Sequence, residues 1–385
     1  MLYGIIVGPG HHHIMMINAF KKQKLRFRYA VYWPSLKVFE VDPSGEEVLL
    51  YQSLLYNTVS KLLWGIASRI RFLAWQSHRD LSFVLYDRLI STYFEDCQLV
   101  IGWSQVSLYS IKRVKKKGGY FVLEHPMVHA EYWNQVIKDE YKKFPEVQNP
   151  KSIRTQRMMK RMLMEYDLAD KINLLSSFAK KTFVLNGILP EKIISTPLGT
   201  DIQIRAPSDR RTEKKTFVIL YVGRLEILKG VQYLLEAYES LEIAEIELWL
   251  VGALQKEFAA FLERYNGNYR LLGEKSKKEL VTIYEHADLV VFPSLLDAFG
   301  LVIIESLSIG TPVIATRSSA AEDIITDESQ GVIVPSADAE AIREAIIYIY
   351  KNRKRRLTCS KLTGYEVEDY DRALSSSIGF TSHRK

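Results

Sequence analysis

Two carboxylates that enclose an apolar segment carry the clearest chemical signal in the sequence. Asp297 and Glu305 frame the segment D-A-F-G-L-V-I-I-E, and no Lys or Arg lies within ten residues of Glu305. An ionised carboxylate is unfavourable among apolar residues unless a partner satisfies it. We therefore expect Glu305 to face a crevice and to accept hydrogen bonds from a diol, such as the 2′ and 3′ hydroxyls of a ribose, worth about 1.5–3 kcal/mol each. The alternative is a structural helix in which Glu305 pairs with a neighbouring cation.

The residues between the two carboxylates supply backbone donors. Gly300 allows the backbone to approach a ligand closely. Phe299, Gly300 and Leu301 lie where a helix is predicted to begin, so their amides lack partners within the helix and carry partial positive charge. Such a helix start favours an anion, and Asp297 lies in the loop directly before it.

A second candidate site follows the apolar strand in I-L-Y-V-G-R-L-E-I-L-K-G, residues 219–230. The strand ends at Gly223, the loop carries Arg224, and a helix is predicted to begin near Lys229. In doubly wound sheets, ligands bind at the carboxyl ends of the strands. The two cations and the helix start would attract phosphate there. The alternative is an ordinary strand–turn–helix unit with surface cations.

Histidines and glycines of the first half form weaker candidate sites. His125 and His129 follow a predicted strand, and a lone histidine in such a position is more often structural than catalytic. Gly8 and Gly10 follow the first strand and would let the backbone approach a ligand as part of a cleft wall. The histidine run 11–13 does not predict a metal site, because adjacent side chains cannot all face one ion and no Cys or Asp cluster accompanies them.

Length and composition predict a two-domain globular protein. The 385 residues exceed what one core ordinarily holds, and 47% apolar with 25% charged residues is globular composition. Cys97 and Cys359 form neither a disulfide framework nor a metal motif, which suits a reducing cytoplasm. The N-terminal sequence has no basic segment before its apolar run, so we expect no signal peptide. No apolar run approaches the roughly 18 residues of a membrane span.

The charge is unevenly distributed between the two halves. Residues 1–200 carry 28 Lys+Arg and 17 Asp+Glu, a net charge of +11, whereas residues 201–385 carry 24 and 28, a net charge of −4. Only the first half is therefore suited to a negatively charged partner. Residues 60–75 mix bulky apolar residues with cations, which indicates either a helix on an anionic membrane surface or a core helix with snorkelling cations. Residues 112–119 (KRVKKKGG) add to the positive charge. A nucleic-acid partner is not expected, because the basic residues lack an aromatic-interleaved surface motif.

The order of predicted elements indicates an α/β protein. In the second half, strands and helices of about ten residues alternate from residue 217 to residue 351, which predicts a parallel sheet covered on both faces. In the first half, strands are predicted at 3–7, 98–102 and 120–124. The polar segment 198–216 is the predicted linker. We therefore place the first domain at 1–204, the second at 205–360, and a tail at 361–385.

These motifs resemble those of the GT-B fold retaining glycosyltransferases, the group 1 family (glycosyltransferase family 4), of exopolysaccharide or lipopolysaccharide type. The second half is similar to the nucleotide-sugar domain of that family over most of 165–352. "GRLEILKG" resembles its G-R-x4-K-G motif, and "DAFGLVIIESLSIGTPVIAT" resembles its E-x7-E block. Asp297 stands where the family usually has Glu. "LEHPMVHAEYW" resembles a first-domain segment more weakly, and His129 there matches the family's histidine beside the donor sugar.

The resemblance implies an activity and a set of roles. Two Rossmann-like domains with parallel sheets would face a central cleft, and the tail would cross back to the first domain. Arg224 and Lys229 would hold the diphosphate of a UDP- or GDP-type sugar, Glu305 the ribose, and Asp297 and His129 the sugar. A glycan or lipid-linked acceptor would receive the sugar with retention of configuration. No metal or other cofactor is expected, since the cations and helix amides can balance the leaving charge.

Some alternatives remain open at this point. One is a catalytically impaired nucleotide-sugar-binding protein, which the Asp297 departure suggests. Another is a nucleotide-sugar epimerase of the same fold, although that class lacks the full combination of motifs. The expected location is the cytoplasm, with a peripheral site at the cytoplasmic membrane face.

Overall fold

The fold was analysed in a computed structural model of the chain. The residues that the structure describes are 1–7, 13–31, 36–53, 73–147, 153–200, 202, 216–265 and 268–353, with Gly364, Tyr365, Asp369, Arg372, Ala373 and Ser376 of the tail. Statements below refer to these residues.

The first half folds around an eight-stranded sheet. Its strands are β1 (Tyr3–Ile6), β2 (Phe27–Val31), β3 (Leu36–Val41), β4 (Glu47–Ser53), β5 (Leu99–Trp103), β6 (Tyr120–Glu124), β7 (Lys171–Leu174) and β8 (Ile193–Ser195). Its helices are α1 (His13–Lys22), α2 (Leu73–Ile90), α3 (Leu108–Lys116), α4 (Ala130–Lys143), α5 (Gln156–Leu168) and α6 (Ser177–Leu185). The strand order is β4-β3-β2-β1-β5-β6-β7-β8.

Most of this first sheet is parallel. Strands β2, β1, β5, β6, β7 and β8 pair in parallel, and their intervening segments cross over through helices. Strands β3 and β4 pair antiparallel and extend one edge of the sheet. This hairpin is an addition to the parallel arrangement that the sequence predicts. Because parallel strands all end at one edge, the loops after β5, β6 and β7 lie together there.

The second half folds around a six-stranded, wholly parallel sheet. Its strands are β9 (Phe217–Val222), β10 (Ile246–Val251), β11 (Tyr269–Gly273), β12 (Leu289–Phe292), β13 (Val313–Thr316) and β14 (Gly331–Val334). Its helices are α7 (Val231–Glu239), α8 (Lys256–Leu262), α9 (Lys277–His286), α10 (Leu301–Ser308), α11 (Ala321–Ile324) and α12 (Ala339–Lys351). The order is β11-β10-β9-β12-β13-β14. Every residue of β9 and β12 is buried, as expected for central strands covered on both faces.

For the second half the sequence predicts strands at 217–222, 246–251, 269–272, 289–292, 312–315 and 331–334, and each lies within one residue of its observed position. In the first half, β1, β5 and β6 also coincide with predicted strands. The predicted domain boundary at 204–205 falls between β8 and β9, and residues 203–215 lie outside the described part of the chain.

The two domains contact each other on both sides of the linker. Near the carboxyl ends of the strands, Ser176 Oγ donates to the carbonyl of Ala298 at 2.5 Å. Away from that edge, the buried Glu140 on α4 accepts hydrogen bonds from Gln232 Nε2 at 2.9 Å and Tyr233 Oη at 2.7 Å, both on α7. The loop after α4 adds an ion pair between Glu146 and Arg264 at 2.5 Å.

The tail also touches both domains at one described residue. The carbonyl of Tyr365 accepts from the amide of Thr200 at 2.8 Å. Its hydroxyl donates to the carbonyl of Asp323 at 2.9 Å. The tail therefore returns to the junction between the domains at Tyr365.

Candidate functional site

The loop after β9 is shaped by close contact with the loop after β12. Gly230 has a φ of 68°, and a Cβ at this position would lie 1.9 Å from the carbonyl oxygen of Pro293. The amide of Leu295 donates to the carbonyl of Leu228 at 3.0 Å. These contacts require Gly at 230, and they place the neighbouring Lys229 beside the second loop.

The loop after β12 ends in a second glycine with a left-handed backbone. Gly300 has φ 90° and ψ 64° and stands directly before helix α10. A Cβ at Gly300 would lie 3.0 Å from the Phe292 ring, so the turn is both strained for other residues and tightly packed. The turn brings the Phe299 and Gly300 amides, just before α10, towards the Asp297 carboxylate.

Lys229 and Asp297 form an ion pair where the two loops meet. Lys229 Nζ lies 2.5 Å from Asp297 Oδ2, and the other carboxylate oxygen accepts from the Phe299 amide at 3.0 Å. The burial of Asp297 opposes its ionisation, but the Lys229 ammonium and the amides of Phe299 and Gly300 outweigh that effect and lower its pKa. These groups hold a carboxylate here and are the same kind that would hold a phosphate.

A cleft of about 310 Å³ opens beside this ion pair. From the second domain it is lined by Val222, Gly223, Lys229, Phe292, Asp297, Phe299, Gly300, Leu301 and Val302. From the first domain it is lined by Pro126, Leu175 and Leu198. The structure thus brings the predicted site residues Gly223, Lys229, Asp297, Phe299, Gly300 and Leu301 to one cleft between the domains.

Arg224 lies apart from this ion pair. Its side chain is 59% exposed, and its Nη2 lies 2.8 Å from Glu226 Oε1. Arg224 is not among the residues that line the cleft. This ion pair with Glu226, only two residues along the chain, was not predicted from the sequence.

Glu305 is half-buried on α10 and accepts a hydrogen bond from a tyrosine. Tyr284 Oη on α9 donates to Glu305 Oε2 at 2.9 Å. Burial and the Glu305 carboxylate raise the pKa of Tyr284, so its hydroxyl stays protonated and keeps donating. Glu305 is outside the set of residues that line the 310 Å³ cleft. Tyr284 therefore helps to orient one oxygen of the carboxylate. This contact was not predicted from the sequence.

His129 is buried at the start of helix α4. Its Nδ1 accepts from the Glu131 amide at 3.4 Å, so the imidazole caps the helix. Its ring lies 5.2 Å from that of Tyr166 and 5.0 Å from that of Phe183. Burial, with a smaller effect from Arg154, lowers the pKa of His129 to about 4, so the ring is neutral at pH 7. Its Nε2 has no hydrogen-bond partner among the residues that the structure describes.

His129 does not line the cleft, but Pro126, three residues before it, does. His125 is equally buried, and burial lowers its pKa to about 3. The structure therefore places the two histidines behind the first-domain wall as neutral rings.

The remaining predicted positions fall outside the described residues. Gly8 and Gly10 do so, as do residues 60–72 of the membrane candidate 60–75. Within the described part, no group of three His, Cys, Asp or Glu side chains is placed to hold a metal ion. No helix of that part is long and apolar enough to cross a membrane.

Several cleft residues were not singled out in the sequence. Pro126, Leu175 and Leu198 are apolar and lie in loops of the first domain, where sequence alone does not distinguish a cleft wall from a core. Ser176, which joins the domains through Ala298, is the N-cap of α6 and looks like any capping serine in the sequence.

Part of the chain matches a known protein family. Residues 203–363 match the family model for glycosyl transferases group 1, and they contain both loops of the ion pair. This region, most of which is the second domain, is therefore similar to the group 1 glycosyl transferases.

Relatives by sequence cover parts of the chain. A D-inositol 3-phosphate glycosyltransferase of Paenarthrobacter aurescens (strain TC1) is 26% identical over 212 residues, 51% of this chain and 52% of the relative. One from Corynebacterium glutamicum (strain R) is 24% identical over 302 residues, 71% of this chain and 66% of the relative. The matches thus span about half to two thirds of the length of these curated relatives.

Relatives by structure extend over the whole chain. The crystal structure of Anabaena Alr3699/HepE in complex with UDP-glucose superposes with a TM-score of 0.65, covering 99% of this chain and 100% of that one. The sequence identity is 14%, so this likeness concerns the fold. The two domains of the chain therefore adopt the GT-B fold.

Proposed function

We propose that the chain is a retaining glycosyltransferase that uses a nucleoside-diphosphate sugar of UDP or GDP type. The observation that carries this proposal is that Lys229 and the amides of Phe299 and Gly300, just before α10, converge on the Asp297 carboxylate beside the interdomain cleft. Breakage of the anomeric C–O bond leaves negative charge on the diphosphate. Preorganised cations and amides stabilise such charge most effectively where it develops.

In this proposal the diphosphate takes over the contacts of Asp297. Lys229 Nζ and the Phe299 amide would turn from the carboxylate to phosphate oxygens. Asp297 would then be free to accept hydrogen bonds from the donor sugar, the place that the family resemblance assigns to it.

Glu305 and His129 have accessory roles in the proposal. Glu305 would accept hydrogen bonds from the ribose hydroxyls, and the Tyr284 hydroxyl, which donates to Glu305 Oε2, would help to orient the carboxylate. Neutral His129 would orient the sugar from the first domain through Nε2 after the domains adjust around the donor. Arg224 would swing from Glu226 to the diphosphate.

The acceptor in the proposal is a glycan or a lipid-linked sugar. It would approach from the first domain, whose cleft wall of Pro126, Leu175 and Leu198 is apolar. The names of the relatives support sugar transfer, and the UDP-glucose complex of HepE supports a UDP-type donor. We further propose that no metal takes part, because Lys229 and the α10 amides supply positive charge to the leaving group.

The test is slow hydrolysis of nucleotide sugars by the full chain, measured as release of nucleoside diphosphate with UDP-, GDP- and ADP-sugars. We expect release from one class of donor, undiminished by EDTA. Binding without release would indicate an impaired nucleotide-sugar-binding protein. Loss with EDTA that Mg²⁺ restores would contradict metal independence but not sugar transfer.

A further inference from the structure

One outer surface of the first domain combines exposed leucines with unpaired cations. Helix α3 packs between α2 and α5, so the outward sides of these three helices form one surface, which we call the α2–α3–α5 face. It is distinct from the interdomain cleft, because none of its residues lines that cleft.

Helix α2 contributes an apolar stripe to this face. Leu81, Leu85 and Leu89 are 39%, 39% and 40% exposed, although leucine is usually buried. Their spacing of four residues places them in a row along one side of the helix. The opposite side of α2 is accounted for, since Phe83, Tyr86 and Ile90 are buried in the core. The leucine stripe therefore lies on the side of α2 that faces away from the core.

Helices α3 and α5 contribute cations beside the stripe. The exposed cations of the three helices are Arg88, Lys112, Arg113, Lys115, Lys116, Arg157 and Lys160. Among the described side chains of these helices, Asp167 is the exposed acid, because Asp80, Asp87 and Glu165 are buried.

Most of these cations are not neutralised locally. Arg113 pairs with Glu95 at 3.1 Å, and Lys115 pairs with Asp170. Lys112, Lys116 and Lys160 have no ion pair with any described residue. The face thus carries a net positive charge next to its leucine stripe, in the half of the chain whose net charge is +11.

We propose that the α2–α3–α5 face docks on an anionic lipid surface, with the leucines of α2 entering the headgroup boundary. An apolar stripe flanked by cations is the pattern of an interfacial helix surface. A nucleic acid could bind the cations through its phosphates, but its backbone offers no apolar surface for the three leucines. The proposed docking does not depend on whether the cleft binds a nucleotide sugar, so the two proposals can be tested separately. It also uses residues outside 60–72, on a surface that the structure describes.

The test is co-sedimentation of the full chain with phosphatidylcholine vesicles that contain or lack phosphatidylglycerol. We expect binding to the anionic vesicles that falls as salt is added, and much weaker binding to phosphatidylcholine alone. Lys112→Gln with Lys116→Gln should weaken binding about 30-fold, because each cation at such a surface contributes about fivefold. Leu85→Gln with Leu89→Gln should weaken it about tenfold, since burial of leucine at the boundary is lost.

Matched control variants lie in the second domain. Leu254 and Leu271 are 40% and 49% exposed, and Lys256 and Lys278 are exposed. Leu254→Gln with Leu271→Gln, and Lys256→Gln with Lys278→Gln, should each bind vesicles within about twofold of wild type. Circular dichroism and the melting temperature should show that all variants are folded.

Three results would overturn the proposal. One is equal loss of vesicle binding in the α2–α3–α5 variants and the controls, or in none of them. Another is tighter binding to duplex DNA than to vesicles, weakened by the lysine changes and not by the leucine changes. The third is a dimer in sedimentation velocity that the leucine variants dissociate while vesicle binding is unchanged.

Discussion

The two walls of the cleft differ in chemistry. The second domain contributes the Lys229–Asp297 ion pair and the amides of Phe299 and Gly300, just before α10. The first domain contributes apolar side chains, and His129 lies behind them as a neutral ring. Under the proposed function this contrast is a division of labour, in which one wall binds and neutralises an anion while the other excludes water and shapes the space.

The largest effect is expected from the glycine that joins the two loops of the charged wall. In Gly230→Ala the new Cβ would meet the Pro293 carbonyl at 1.9 Å, in addition to the strain of φ 68°. We expect a loss of more than about 4 kcal/mol in the free energy of unfolding, measured by urea denaturation. The control is Gly273→Ala, which has the same φ of 68° but no atom within 4 Å of its Cβ. It should lose only about 1–2 kcal/mol. Equal losses of unfolding free energy in the two variants would show that the contact between Gly230 and Pro293 does not contribute to stability.

The next largest effect is expected from Lys229→Ala. Loss of the ammonium removes the cation of the charged wall, and we expect donor hydrolysis to fall about 10²–10³-fold with the protein still folded. Lys229→Arg should restore part of the rate, because charge is kept. A rate in Lys229→Ala like that of the wild type would remove the diphosphate assignment.

A third prediction concerns the histidine behind the apolar wall. In the unfolded chain a histidine takes up a proton near about pH 6.5, whereas His129 does so in the folded protein only near its pKa of about 4. The folded state is therefore favoured above pH 6.5 and loses this advantage as the pH falls towards 4. Between pH 7.5 and pH 5, His129 should account for about 2 kcal/mol of lost stability.

The substitution His129→Asn isolates this effect, because Asn still caps a helix and does not titrate. Its unfolding free energy should fall about 2 kcal/mol less than that of the wild type over the same pH change. A wild-type pH dependence in His129→Asn would mean that the ring is not held neutral.

The smallest effect is expected from the carboxylate of the ion pair. If Asp297 occupies the place of a phosphate, Asp297→Asn should free Lys229 and tighten the binding of inorganic pyrophosphate about fivefold, roughly 1 kcal/mol. The same variant should lower sugar transfer, because its sugar contact is altered. Asp338→Asn, a helix cap away from the cleft residues, should change neither. Weaker pyrophosphate binding in Asp297→Asn would contradict the competition between the carboxylate and the ligand.

The charged wall was more predictable from the sequence than the apolar wall, for a physical reason. Buried parallel strands, glycine turns and helix starts are local patterns, so the loops of Lys229 and Asp297 could be placed correctly. Their ion pair could not, because it joins residues 68 positions apart and depends on β9 and β12 being neighbours. The contact of Tyr284 with Glu305 was missed for the same reason, since it joins two helices.

In the first domain, more of the structure depends on contacts between distant segments than in the second domain. The β3–β4 hairpin depends on antiparallel pairing that extends the sheet from β2, and it has no turn motif as strong as Asn-Gly at 42–46. Helix α4 was not predicted because its surface is partly held by the other domain, through Glu140 and the two side chains of α7. These hydrogen bonds satisfy the carboxylate of Glu140, which would be unfavourable in a buried position without them.

The central claim is that the charged wall binds a nucleoside-diphosphate sugar through Lys229. The most direct measurement is the melting temperature of the wild type and of Lys229→Ala with UDP, GDP and ADP and their sugars, since a ligand that binds the folded state raises it. We expect one nucleotide class to raise the wild-type melting temperature, and Lys229→Ala to abolish the rise while Lys256→Ala keeps it. A folded wild type that no nucleotide stabilises, or a rise that is unchanged in Lys229→Ala, would contradict the claim.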